Sequence, residues 1–249
     1  MIEEPFASGD SLLHRRDARV KILAACALTL VVALSQSFLV AATGLIGAIL
    51  LLLAARLQAS LVLRHLLAAN LFILFLWLTL PLTYGGDTLT ALGPIALSSG
   101  GIRLSALITL KSNAIILILL ALLSTSNIAS LGHGLEGLAV PPKLCFMLLS
   151  TYRYIFVIHQ EYQRLQRAAR MRGFVARTNL HTYRTFSHLF AMTLVKSWNR
   201  ARRVHQAMLL RGFNGQLIPL HQPQLTVADH LFLAALLIFC GALGALNLL

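Results

Sequence analysis

The sequence predicts an all-α integral membrane protein with about five transmembrane helices and a cytoplasmic helical domain built on two long amphipathic helices. Three observations carry that prediction. The 249 residues are 57% hydrophobic and only 12% charged, whereas soluble domains carry about 25% charged residues. The mean hydropathy is +0.76. The net charge of +13 is unevenly spread: 13 of the 21 Lys and Arg fall between residues 125 and 225, where Glu136 and Glu161 are the only acids.

The first stretch, "MIEEPFASGDSLLHRRDARVK", is polar and partly acidic and does not resemble a cleavable signal peptide. Residues 22 to 55 are apolar apart from "SQS" at 35 to 37. One helix of that length would run about 51 Å at 1.5 Å per residue, too long for a bilayer core, so the sequence predicts two short spans in a tight hairpin. A third span covers about Leu66 to Tyr84, and a fourth about Ile102 to Leu123. Between them, "GGDTLTALGPIALSSGG" predicts a loop that can hold a short hairpin. The last span is about Val227 to Leu248. Arg15, Arg16, Arg19 and Lys21 precede span one, Arg56 and Arg64 flank the turn between spans two and three, and the large basic block follows span four. The alternate turns carry no Lys or Arg. The positive-inside rule then puts the N-terminus in the cytoplasm of a cell-membrane protein and the C-terminus outside, which five crossings satisfy. Lys111 and Asn113 lie deep in span four, where polar groups face a bundle interior; a structural role for Lys111 is favoured over a functional one. Gly44 with Ala48, and Gly241 with Ala245, are small-residue pairs that let helices approach closely.

The basic block opens with "STSNIASLGHGLEGLAV", whose apolar residues Ile128, Leu131, Leu135 and Leu138 predict a short amphipathic helix. Pro141 and Pro142 then start a long helix, to about Arg172, that is apolar in its first half and basic in its second. A second long helix runs from about Tyr183 to Arg211. On it Phe186, Phe190, Thr193, Ser197, Ala201, Val204 and Met208 form one stripe, and Lys196, Arg200, Arg203 and Arg211 another. Both helices end in Arg-Gly-Phe. Gly173 and Gly212 take the left-handed position that stops a helix, and Phe174 and Phe213 take the next, where a hydrophobic residue folds back on the last turn. Arg172 and Arg211 are the last helical residues, where the helix dipole favours a cation. A good helix stop explains one such ending. Two, on consecutive basic helices, suggest a pair of rigid guanidinium tips suited to bidentate docking on a carboxylate.

The stretches "TYRYIFVIHQEYQRLQRAARMRGF" and "RARRVHQAMLLRGFNG", with "LLHRRDARVKIL" near the start, resemble the transmembrane T component of energy-coupling factor transporters, in the cobalt-type CbiQ family. The resemblance implies a three-part chain. Residues 1–124 hold the N-terminal cytoplasmic segment and transmembrane helices one to four, 125–225 the cytoplasmic coupling helices, and 226–249 the last transmembrane helix. It implies a non-catalytic scaffold of a cobalt importer, with nickel or a vitamin as alternative substrates. The implied partners are two ATP-binding cassette ATPase subunits at the cytoplasmic face, a metal-binding membrane subunit that captures substrate, and membrane lipids. In the family each coupling helix ends in an Ala-Arg-Gly-like triplet whose arginine docks in an ATPase groove. The corresponding residues are Met171, Arg172 and Gly173, and Leu210, Arg211 and Gly212. Met and Leu replace the family's Ala, which alters the packing beside each arginine.

Chemistry of the chain's own is not expected. There is no phosphate-cradling GxxxxGK[ST] loop, and the nine histidines show no HxxxH or HExxH pairing. Cys26, Cys145 and Cys240 are isolated in apolar stretches and give neither a disulfide framework nor a thiolate site. Ser124 and Ser126 near His133 lack an orienting acid and a nucleophile elbow. No cofactor is implied. Basic residues interleaved with tyrosines and Trp198 are assigned to headgroups or a protein partner rather than nucleic acid. A stand-alone permease would need ionisable residues lining a path, and only Lys111 and Arg103 lie at or within a mid-chain span.

Overall fold

The computed structural model describes residues 9, 11–83, 88–92, 95–215 and 226–248. Helix α1 spans Ala18–Leu34, capped by Asp17, whose carboxylate accepts from the Arg19 amide. The Ser35-Gln36-Ser37 break ends it: Ser35 is extended, and its hydroxyl donates back to the Val32 carbonyl at 3.0 Å. Helix α2 (Phe38–Ala55) stops at Arg56, which adopts the left-handed conformation at φ 50°. Helix α3 (Ala59–Thr83) starts well before the predicted Leu66. Arg64 and His65 interrupt the apolar run but not the helix, since both side chains point outward. Charge there marks the edge of the apolar layer rather than a helix end.

The stretch between the third and fourth spans holds a two-stranded antiparallel hairpin, β1 (Thr88–Leu92) and β2 (Ile95–Ser98). Ser98 caps α4 (Ser99–Leu122), and Asn127 caps α5 (Ile128–Gly137) by accepting from the Ala129 amide at 3.0 Å. Then come α6 (Pro142–Met171), with Pro142 in its first turn, α7 (Leu180–Leu210) and α8 (Val227–Leu248). Among the described residues, four helices are long and apolar enough to cross a membrane: α2, α3, α4 and α8. With 17 residues, α1 sits at the bottom of the crossing range.

The chain divides into two compact units. One comprises residues 4–134 and 221–249, the other residues 135–220. In the first, α1, α2, α4 and α8 surround a core of Leu28, Val32, Val40, Ala48, Ala114, Ile118, Ala121 and Leu243, each at most 2% exposed. Alanines stand among the larger apolar residues, because lipid is as apolar as leucine and gives helices no hydrophobic reason to associate; close packing must do it. A methyl group built on Gly44 would sit 3.0 Å from Val32, and one on Gly101 only 2.6 Å from the Leu80 carbonyl oxygen. Gly44 and Ala48 thus pack inside the unit, while nothing lies within 4 Å of a methyl at Gly241. Helix α3 is peripheral, with only Val62, Ile73 and Pro81 buried. Polar pairs fix it to α4: Asn70 and Asn113 exchange amide hydrogen bonds of 3.0 and 3.1 Å, and the Trp77 indole donates to Thr109 at 2.9 Å. The Lys111 ammonium donates to the Ala33 carbonyl at 3.0 Å, satisfying the end of α1. Arg103 lies 5.8 Å from the centre of the Phe38 ring.

The other unit is built on α6 and α7, which run antiparallel. Three ring pairs set the direction: Phe146 with Phe213, Tyr162 with Phe190, and Phe174 with Phe186, at centroid separations of 5.0, 5.3 and 5.7 Å.

Candidate functional site

The two helix endings have the same geometry. At the end of α6, the Gly173 amide donates to the Arg170 carbonyl at 3.0 Å and the Phe174 amide to the Ala169 carbonyl at 3.1 Å. At the end of α7, the Gly212 amide donates to Leu209 and the Phe213 amide to Met208, both at 3.0 Å. Each is a Schellman stop, and each requires its glycine: φ is +81° at Gly173 and +78° at Gly212. Arg172 and Arg211 are the C-cap residues, and both are exposed. The apolar residues before them, Met171 and Leu210, are each 89% exposed. Nothing lies within 4 Å of a methyl built on either glycine. Each tip thus presents a cation at a helix C-terminus, one bare apolar side chain beside it, and open space behind it.

The sequence suggests paired tips; the fold puts them at opposite ends. Because α6 and α7 are antiparallel and Phe213, two residues past Arg211, packs against Phe146 of α6, Arg172 and Arg211 lie about 39 Å apart along the pair at 1.5 Å per residue. The two phenylalanines also do more than close their own helices. Phe174 packs edge-on against Phe186 of α7, and Phe213 packs at a tilt against Phe146 of α6. Each stop therefore packs against the other helix.

Between the ends, Glu161 of α6 is a clasp that helix periodicity does not reveal. Lys196 of α7 donates to its Oε1 at 2.6 Å, and Arg164 and Arg200 approach Oε2 at 3.7 and 3.8 Å. The Lys196 hydrogen bond, with the charges of Lys196, Arg164 and Arg200, holds the Glu161 carboxyl below its ordinary value. The signal was present as an isolated acid among thirteen cations. Toward the Phe146–Phe213 end, α6 and α7 leave an apolar groove of about 790 Å³, lined by Phe146, Tyr154, Ile158, Trp198, Val204 and Met208 among others. It is walled on one side by part of the apolar stripe of α7. Burial pushes the Cys145 thiol up, as suits an unreactive packing residue. Among the described residues, no three of His, Cys, Asp and Glu gather as a metal-ligand group.

The family profile of CbiQ, the cobalt transport protein, matches residues 9–223. An energy-coupling factor transporter transmembrane protein EcfT of Macrococcus caseolyticus is 26% identical over 226 residues, covering 86% of this chain and 85% of its own. The EcfT of Bacillus subtilis is 25% identical and covers 97% and 98%. A cobalt transport protein CbiQ of Rhodobacter capsulatus is 28% identical over 131 residues, 52% of this chain and 53% of its own. With a profile match over most of its length and relatives alike from end to end, this chain belongs to the CbiQ family and is the transmembrane component of an energy-coupling factor transporter.

Proposed function

We propose that this component is the non-catalytic scaffold of a cobalt importer, and that Arg172 and Arg211 are its grips on two separate ATP-binding cassette ATPase subunits. The observation that carries this reading is the matched pair of tips. Both have the same hydrogen bonds, the same left-handed glycine and the same exposed apolar neighbour, and they stand at opposite ends of one antiparallel pair. A guanidinium on a rigid helix end suits bidentate docking on a carboxylate. The spacing of about 39 Å suits one tip per subunit, not two in one groove. In this reading the exposed Met171 and Leu210 fill apolar pockets beside those carboxylates, a role that alanine would serve with less buried area.

Closure of the two ATPases on ATP moves Arg172 and Arg211 relative to each other. The α6–α7 pair passes that motion to the membrane helices and tilts a separate metal-binding membrane subunit that captures substrate. With five crossings the N-terminus is cytoplasmic and the C-terminus extracytoplasmic, which places the tips on the ATPase side. Cobalt is favoured over nickel or a vitamin by the description of the matched family and the name of the Rhodobacter capsulatus relative. A stand-alone permease is disfavoured because its two candidate path residues are engaged structurally, Lys111 on a carbonyl and Arg103 beside a ring. The test is metal uptake by cells carrying the complex with wild-type or Arg172→Glu, Arg211→Glu chain. Cobalt uptake that vanishes in the double variant supports the reading. Uptake that persists contradicts the grips, and uptake of nickel or a vitamin without cobalt contradicts the substrate.

A further inference from the structure

Lys21 is the largest side chain among those fully buried in the described structure, at 0% exposed. Its ammonium donates to Ser126 Oγ at 2.7 Å and to the Thr125 carbonyl at 3.4 Å, across more than a hundred residues of sequence. Both acceptors lie in the turn between α4 and α5. Two carboxylates share its surroundings and act on its charge, Asp17 at the start of α1 and Asp229 in the first turn of α8. Each uses one oxygen locally. Asp17 Oδ1 accepts from the Arg19 amide at 2.9 Å, and Asp229 Oδ2 accepts from the Thr226 amide and hydroxyl at 3.0 and 2.6 Å. The other oxygens are both buried: Asp17 Oδ2 takes no hydrogen bond, and Asp229 Oδ1 is ion-paired with Arg16 at 3.6 Å. The Arg19 Nε is also buried without a hydrogen-bond partner.

A buried lysine is a poor way merely to glue three segments together, since an apolar residue of similar volume often does as well or better. What a lysine adds is a choice of acceptors. In this conformation the ammonium is bound to neutral groups of the α4–α5 turn, while the buried Asp17 Oδ2, four residues before it and so one helical turn away, takes no hydrogen bond. We propose that Lys21 is a positioning residue, a latch with two stations. On Ser126 and Thr125 it holds the α4–α5 turn to the starts of α1 and α8. On Asp17 it releases that turn. Helix α5 begins just past Ser126, and the chain leads from it through Pro141 and Pro142 into α6. The latch therefore sits where the membrane helices hand over to the chain that carries the tips. A two-state element at such a joint is the device by which packed helices convert small shifts into discrete ones. This inference rests on the coupling function proposed above.

The test uses the complex purified with its ATPases and reconstituted in liposomes, reading metal taken up per ATP hydrolysed. Lys21→Met keeps the stem and removes the choice of acceptors. It is expected to lower that ratio about tenfold while hydrolysis continues, with Lys21→Arg recovering most of it. Ser126→Ala removes one station's acceptor and lowers the ratio less. Should Lys21→Met fail to accumulate in the membrane, Ser126→Ala decides by the same ratio. An unchanged ratio, or uptake and hydrolysis falling in parallel, overturns the latch and leaves the coupling function standing. ATPases that never co-purify with the wild-type chain overturn both.

Discussion

The membrane unit and the α6–α7 pair are both helical, yet they are held together in opposite ways. In the membrane unit the contacts are small and close, with Ala24, Ala41, Ala114 and Ala121 at most 1% exposed and glycines within reach of neighbouring backbone. In the α6–α7 pair, buried residues are few: Cys145, Thr182, Leu189 and Thr193. Three ring pairs and one four-membered charge cluster carry the association. A dense small-residue core has little room to rearrange. Sparse point contacts between long helices open at lower cost. One unit is packed as a frame and the other is loosely joined, an arrangement in keeping with the proposed role of passing on motion.

The largest expected effect comes from reversing both tips. Arg172→Glu with Arg211→Glu should abolish recovery of the ATPases on the tagged chain, while its own yield and melting temperature stay unchanged, because both side chains are exposed. Each single variant should leave one ATPase attached. Loss of the folded chain instead would erase the distinction between the two units.

Glycine substitutions come next, and they separate the two regions by mechanism. At Gly101 the obstacle is space: Gly101→Val pushes a side chain into the Leu80 carbonyl and the Pro81 Cα, at a cost of about 1–3 kcal/mol in stability. At Gly173 there is open space but a left-handed backbone. Gly173→Val there costs about 1–2 kcal/mol of strain. That strain unravels the tip rather than the membrane unit. Thermal unfolding should register the first variant, and hydrogen exchange confined to residues near 169–174 the second.

Much of this was legible in the sequence. The two Schellman stops follow from Arg-Gly-Phe at the end of a periodic stretch, because capping is local and glycine is needed for a left-handed residue. The "SQS" break and the last span were also local. What stayed hidden is long-range. Lys21 counts in the sequence only as a positive charge ahead of span one, and nothing nearby shows that its partner is Ser126. Glu161 reads as a minor acid until α7 brings Lys196 to it. The antiparallel placement of the tips, and the phenylalanines' reach to the opposite helix, depend on tertiary pairing that periodicity does not encode. The early start of α3 was obscured because Arg64 and His65 break an apolar run without breaking a helix.

Smaller effects sharpen the comparison further. Phe174→Ala and Phe213→Ala remove the ring contacts that pin each stop to the other helix, worth about 0.5–1.5 kcal/mol each beyond the area buried. Disorder at the mutated tip alone, seen by hydrogen exchange, is expected. Acid should act on the Glu161 clasp. Its carboxyl is held below the ordinary glutamate value, so the clasp's contribution is complete above that value, about 4.3, and is lost as pH falls through the lowered one. Spin labels on α6 and α7 flanking Glu161 should keep their spacing from neutral pH down through the ordinary glutamate range and broaden only as the pH falls through the lowered value. Glu161→Gln should broaden them at neutral pH.

The central claim is that one chain reaches two motors through two separated arginine tips. Photo-crosslinking groups placed at Arg172 and at Arg211 of a single chain, activated in native membranes, test it most directly. The account predicts a product in which one chain carries two ATPase copies, one per tip, with only one ATPase captured when either group is omitted. Both tips joined to the same ATPase copy, or neither joined to any, would contradict it.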